Sequence, residues 1–252
     1  MIDRVLESMF HWWRIVGAAS PGARRIERDG VLAAVVPAAP ERAVINSVLY
    51  RDVRGLEAAY DEVAAAYGEA GTTWTVWVPP GDRAAAALLA GRDHFLDAEP
   101  AAMGRELRPG TIERPPEGEL DWTADGDFVH VGPINDASYP FGTDSFSRAL
   151  VCLPEDSGAH VYLARVDGEP AGCLLMIDHD GNSEVQMVAV RPEARGTGLS
   201  GRLLAHALAD AAKRGARSST LIATRLGRPV YERAGFRVLG RFEMWEVGPR
   251  PS

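Results

Sequence analysis

Three apolar runs, "AHVYLARV", "PAGCLLMI" and "SEVQMVAV", follow one another between residues 159 and 190, joined by Asp167-Gly168 and Asp180-Gly181. An Asp-Gly pair between alternating apolar runs is a strong signal for a two-residue β-hairpin, because both turn residues must take positive φ. This stretch predicts an antiparallel meander of three strands. Pro192 then stops the third strand, having no N–H to give a ladder. Next comes "ARGTGLSGRLLAHALADAAKRG", with glycines at 196, 198 and 201. Leu199, Leu203 and Ala207 stand four apart in it, as do Leu204 and Leu208, and Gly215 closes the run. That is a helix with a C-terminal glycine stop. A strand "STLIAT", a short helix "RPVYERAG" and a last strand around "RVLGRFEMWEV" complete this half, which opens with a helix around "TDSFSRALVCL".

The first half gives a similar order without the glycine loop. An opening helix "VLESMFHWWRIV" precedes apolar "VLAAVVP" and "AVINSVLY", a helix "GLEAAYDEVAAAYG", a strand "TTWTVWVP" and a helix "RAAAALLAGRDHF". Where the second half has three glycines, this one has "YRDVRGLEAAY" with one. The halves read as a duplicated architecture without a sequence repeat. Between them "RELRPGTIERPPEGELDW", residues 105–122, is rich in Pro, Gly and charge and carries no apolar period, the mark of a linker. The expected domains are 1–108 and 112–252.

With 252 residues, 46% hydrophobic and 25% charged, the chain can bury a globular core. Cys152 and Cys173 lie in apolar surroundings with no Cys or His at ligand spacing, and read as reduced core residues. No run of 18 apolar residues and no signal-peptide pattern occurs, so the expectation is a cytoplasmic, soluble protein off the membrane. A net charge of −8 argues against a non-specific grip on nucleic acid. Yet between Arg191 and Arg237 ten basic residues face three acidic ones, so that segment is +7 and the remainder −15. A local positive field around a glycine loop suits one bound polyanion smaller than a nucleic acid.

The glycines fit the spacing G-x-G-x-x-G, but a dinucleotide fingerprint needs its first glycine directly after the strand and an acidic residue about 20 positions on. Here five residues, Arg191 to Arg195, separate Val190 from Gly196, and the next strand end offers Thr224 and Arg225. A nicotinamide cofactor is therefore disfavoured. A helix N-terminus with unpaired N–H groups, glycines that admit a phosphate, and Arg195 beside them suit a pyrophosphate. A plain strand-to-helix turn is the alternative.

Taken together, "VAVRPEARGTGLSGRLL" and "RPVYERAGFRVLG" resemble the acetyl-CoA motif and the following motif of the GCN5-related N-acetyltransferases (GNAT), over about residues 112–248. The resemblance implies an α+β fold of two tandem GNAT-like domains, each a mixed, mostly antiparallel sheet flanked by helices, with the first degenerate. It implies that Arg195, Gly196, Thr197, Gly198, Leu199, Ser200 and Gly201 give backbone N–H groups to the CoA pyrophosphate. Val188, Ala189 and Val190 would present main-chain groups to the pantetheine and acetyl carbonyl. Ser200 departs from the family's usual Gly or Ala but is small; Thr224 and Gly227 stand where many members have Asn and Ala.

Acetyl transfer needs an amine nucleophile, a donor to the oxyanion and a proton for the departing thiolate. Tyr231 resembles the family's thiolate proton donor, the alternative being a ring packed under its helix. A backbone N–H near Val188 is the expected oxyanion donor. Glu184 falls where the histone-acetylating branch carries its catalytic glutamate, but it also follows the turn "HDGNS", and a water chain is its rival as base. No histidines pair as metal ligands, so no metal is expected, and His206 reads as a surface residue. The acidic run Glu113, Glu117, Glu119, Asp121, Asp125, Asp127 and Asp136 reads either as a lure for a cationic amine or as a solvated face. Trp12 and Trp13 read as core. The expectation is a monomeric or homodimeric N-acetyltransferase using acetyl-CoA and a small-molecule amine; the alternative is a CoA-binding sensor or interaction protein of the same fold.

Overall fold

Both Asp-Gly pairs adopt the conformation that a tight hairpin demands. Asp167 and Gly168 take φ of 52° and 82°, Asp180 and Gly181 47° and 72°, so each pair has positive φ at both central positions. A computed structural model describes residues 1–108, 112, 118, 120–139 and 142–247. The first half contains α1 (Ile2–Val16), β1 (Arg24–Arg28), β2 (Val31–Val35), β3 (Ser47–Tyr50), α2 (Val53–Ala70), β4 (Thr75–Val78), α3 (Arg83–Ala90), β5 (His94–Ala98) and β6 (Ala101–Glu106). After it come β7 (Trp122–Ala124), α4 (Val131–Ser138), α5 (Ser145–Ala149), β8 (Ala159–Val166), β9 (Glu169–His179) and β10 (Asn182–Val190). The chain ends with α6 (Leu199–Lys213), β11 (Ser218–Ala223), α7 (Arg228–Arg233), β12 (Arg237–Arg241) and β13 (Glu243–Val247).

These strands form two mixed sheets, β1-β2-β3-β4-β13-β5 and β12-β6-β11-β10-β9-β8-β7. In the first, β3 and β4 run parallel across α2; in the second, β10 and β11 run parallel across α6. Each sheet thus has an antiparallel run, one parallel crossover, then antiparallel strands. The two exchange strands: β6, from the first half, lies between β11 and β12, while β13, the last strand, lies between β4 and β5. The single last strand expected around "RVLGRFEMWEV" is therefore two strands in different sheets, with the wholly buried Phe242 at the crossing. Arg105 and Glu106, read as the start of a linker, instead end β6. The chain breaks its apolar pattern near residue 110, but neither sheet is built from one side of that break alone. Most of the remaining linker, with Glu113, Glu117 and Glu119, lies outside the described residues.

Helix α1 is the common core of both sheets. Its Val5, Met9, Trp12, Trp13 and Val16 belong to one apolar cluster with Leu32 and Leu49 of the first sheet and Cys173, Leu175 and Ile177 of the second. A buried polar network fixes its register on the second sheet: Asn182 Nδ2 donates to Ser8 Oγ (2.8 Å) and Thr220 Oγ1 (2.7 Å), and Ser218 Oγ donates to Asn182 Oδ1 (2.7 Å). On the opposite face of that sheet, Leu199, Leu203, Leu204, Ala207 and Leu208 bury the expected stripe of α6.

Three further expectations change. His206 is buried, 1% exposed, and stacks on Trp122 at 4.2 Å, because the α6 face that meets β7 is apolar and aromatic. Cys152 is exposed while Cys173 is buried. The helix expected over "TDSFSRALVCL" is only α5; beyond it Val151 and Cys152 give their N–H groups to the Ala19 carbonyl, which draws the chain out into an extended segment.

Candidate active site

Strands β10 and β11 pair over Asn182–Glu184 and Ser218–Thr220 only. Further along, β10 carries a bulge between Gln186 and Ala189, where Met187 takes a left-handed φ of 52°. Such a conformation costs a non-glycine residue about 1 kcal/mol or more and persists where neighbours hold it. Here Asn135 of α4, 1% exposed, and the Cys173 thiol each approach the Met187 carbonyl at 3.4 Å. Past the bulge Ala189 and Val190 resume pairing with Cys173 and Gly172 of β9, no β11 partner continues beside them, and Val188–Val190 line a cavity of about 1250 Å³.

After Val190 the chain makes one 3-10 turn, Pro192–Ala194, and enters the glycine loop. Gly196 and Gly198 have φ of 79° and 76°, and a Cβ placed on either, or on Gly201, would meet nothing within 4 Å. Open space outside left-handed glycines at a helix start is what a phosphate group requires. No side chain caps α6, and its bonds start with Arg202 N–H to the Gly198 carbonyl (3.1 Å), leaving the preceding N–H groups without an intrahelical acceptor. Thr197 Oγ1 donates to the Ala194 carbonyl (2.9 Å), tying the loop to its own entry. Arg195 lies across the mouth, donating to the carbonyls of Val190 and Ser138.

The corresponding helix of the first half is closed to an anion. Asp52 caps α2, its Oδ1 accepting from the N–H groups of Arg54 and Gly55, both at 3.0 Å. The protein's own carboxylate thus takes the place a phosphate would fill, and adds the wrong charge for one.

Tyr231, on α7, is 8% exposed and lines the cavity with Val188–Val190, Arg195 and Ser200. Burial, with the neighbouring Tyr139, raises its phenol above the ordinary tyrosine range, so it holds its proton at neutral pH. Thr224 Oγ1 accepts from Gly227 N–H (3.1 Å) and so starts α7. Glu184 sits otherwise. On a strand it shares a face with Asn182, the face toward α1, and it is 1% exposed. Neither carboxylate oxygen completes a hydrogen bond, and burial pushes the group up to about 8, the nearby Gln186 side chain pulling weakly the other way. Gln186 lines the cavity and Glu184 lies one step behind it.

The structure therefore brings Tyr231, Val188, Ala189, Val190, Arg195 and Ser200 to one cavity. Gly196, Thr197, Gly198, Leu199 and Gly201 form the loop beside it, and Glu184 is set beneath. Sequence reasoning missed Tyr139, Asn135, Arg42 and Glu246, all of which line the same cavity. The last two come from the first half and from β13, where no local motif marks them. Trp12 and Trp13 are core, as read, and also form cavity wall. Among the described residues no three His, Cys, Asp or Glu side chains gather as metal ligands, and no helix is long and apolar enough to cross a membrane.

Comparison with known families finds that residues 157–238 match the acetyltransferase (GNAT) domain. That span covers the meander, the glycine loop, α6 and Tyr231. A GCN5-related N-acetyltransferase from Kribbella flavida superposes with a TM-score of 0.69 at 15% identity, over 98% of this chain and 96% of that one. A similar protein from Sphaerobacter thermophilus gives 0.59 at 20% identity, over 88% and 78%. A tandem GNAT protein from the clavulanic acid biosynthesis pathway gives 0.60 at 18%, over 96% and 88%. No curated protein sequence matches the chain. The chain has the α+β fold of these structures, two mixed sheets flanked by helices, and its match to the acetyltransferase (GNAT) domain falls in the second half.

Proposed function

We propose that the protein is a tandem GNAT enzyme that moves the acetyl group of acetyl-CoA to an amine of a small molecule, with one active half. The observation that carries this reading is the continuity of the site: an uncapped helix start behind two left-handed glycines, a bulged strand leading from it, and a protonated tyrosine on the same cavity. Acetyl-CoA supplies the activated thioester. The N–H groups of Gly196–Gly201 hold its pyrophosphate, and the main chain of Val188–Val190 holds the pantetheine. The Val188 N–H stabilises the oxyanion, and the Tyr231 phenol donates a proton to the leaving sulfur. Glu184 acts as base through water past Gln186, since it does not line the cavity itself. The first half, its equivalent helix closed by Asp52, walls the acceptor side.

Calorimetric titration with acetyl-CoA tests this, with NADH and adenosine diphosphate as controls. The expected result is one acetyl-CoA per chain and no NADH binding. Gly198→Val, which must hold φ near 76° with a β-branched side chain, should weaken binding by about tenfold or more. Saturable binding of acetyl-CoA without turnover of any amine would favour the sensor alternative, and no binding would leave the fold alone.

A further inference from the structure

The cavity does not end at the reacting centre. On the side built by α1, β4, β5 and β13 it is lined by Trp12, Trp13 and Trp77, with Ile45 beside them, side chains no more than 6% exposed, and by Asp97 and Glu246. Trp77 is held in place by Nε1 donating to Ser47 Oγ at 2.9 Å. Asp97 occupies a special position. Met244 pairs with Ala98 and Trp245 with Leu96, so Asp97 is the extra residue of a bulge in β5, directly beside the strand that carries Glu246. Bulges re-aim side chains and are common beside active sites.

Charge at this end is negative. With Glu41 paired to Arg148, the lining here sets the carboxylates of Asp97 and Glu246 against the guanidinium of Arg42. Arg42 lies in the combined field of Glu41, Glu246 and Asp136. Glu246 is half-buried and is pushed up to about 7, by burial first and by Asp97 second, with Arg42 pulling down too weakly to cancel them. A carboxylate in the condition of Glu246 gains by meeting a cation.

We propose that this end is a specificity subsite: Glu246 and Asp97 select an acceptor amine whose aromatic or bulky apolar body carries a second cationic group, distant from the amine that is acetylated. The proposal rests on the acyl-transfer reading for which amine reacts, while the recognition itself is a binding property of the chain.

The test uses three ligands sharing one ring: benzylamine, 4-(aminomethyl)benzylamine and 4-(aminomethyl)benzoate. Binding is read by tryptophan fluorescence without acetyl-CoA, and turnover by thiol release with it. The diamine should bind about tenfold tighter than benzylamine and the benzoate weakest, and Glu246→Gln should reduce the diamine's advantage to about threefold or less. Asp97→Asn, at an exposed position, serves as a second variant should Glu246→Gln fail to fold, and should narrow the same ratio. A diamine no better than benzylamine, a preference for the benzoate, a ratio unmoved by both variants, or no binding of any ligand at about 10 mM would each overturn the proposal. Diamine selectivity in binding with no thiol release from any ligand would support the subsite and count against the acyl-transfer reading for this class of amine. Thiol release without selectivity would do the reverse.

Discussion

Replacing Glu184 by Gln should change how stability depends on pH, with a slope that the structure sets. The folded carboxyl titrates at about 8 against an ordinary 4.5, because it is buried beneath α1 and neither oxygen completes a hydrogen bond. Below pH 4.5 the folded and unfolded chains both carry the proton and the group contributes nothing. Between 4.5 and about 8 only the folded chain carries it, so ionisation favours the unfolded state more with each step up in pH; above about 8 the penalty is constant. The slope is about 1.4 kcal/mol per pH unit, which makes the penalty about 3 kcal/mol at pH 7. Glutamine has the same shape and no titration. Its buried amide shifts the whole curve by about 1–3 kcal/mol without tilting it. Urea unfolding of both proteins at pH 5, 6, 7 and 8, followed by tryptophan fluorescence, isolates the slope. Wild type should lose stability relative to Glu184→Gln steadily across that range. Parallel curves, with a difference constant to about 0.5 kcal/mol, would refute the burial argument and with it a poised base at this position.

Tyr231→Phe should lower kcat about a hundredfold or more while leaving the acetyl-CoA dissociation constant within about threefold, since the ring stays and only the proton donor goes; single-turnover thiol release checks this, and equal loss in binding would mean the ring is packing alone. Ending the chain at Phe242 removes β13 and leaves β4 and β5 without their ladder partner. Such a chain should show no cooperative thermal transition by circular dichroism, whereas a retained sharp transition would mean the exchanged strand is dispensable. One thiol should react with a disulfide reagent in the native protein and two in urea, because Cys152 is exposed while burial raises Cys173 to about 12.

Much of the second half was legible residue by residue. The Asp-Gly pairs have one economical backbone solution, and the leucine spacing of α6 specifies a buried stripe whatever the sheet beneath it. The glycine loop was legible for the same local reason, since positive φ at 196 and 198 suits glycine and little else. Burial was illegible where it depends on a partner distant in sequence. His206 looks solvated among Ala and Leu until Trp122 covers it, and Glu184 looks like a turn carboxylate until α1 closes over its strand.

By itself, then, the sequence determined the hairpins, the crossover helix, the left-handed glycines of the loop and the family it resembles, because each depends on φ preferences, periodicity and spacing within a few residues. Only the tertiary structure decided that β6 and β13 change places between sheets. Strand pairing is set by backbone bonds that any β-compatible run can make, and an eleven-residue segment read as one strand carries no mark of which sheet each part joins. That exchange puts Glu246 beside Asp97 at the far end of the cavity. It thereby joins the second half's loop entry to a cavity lining that no local motif announces.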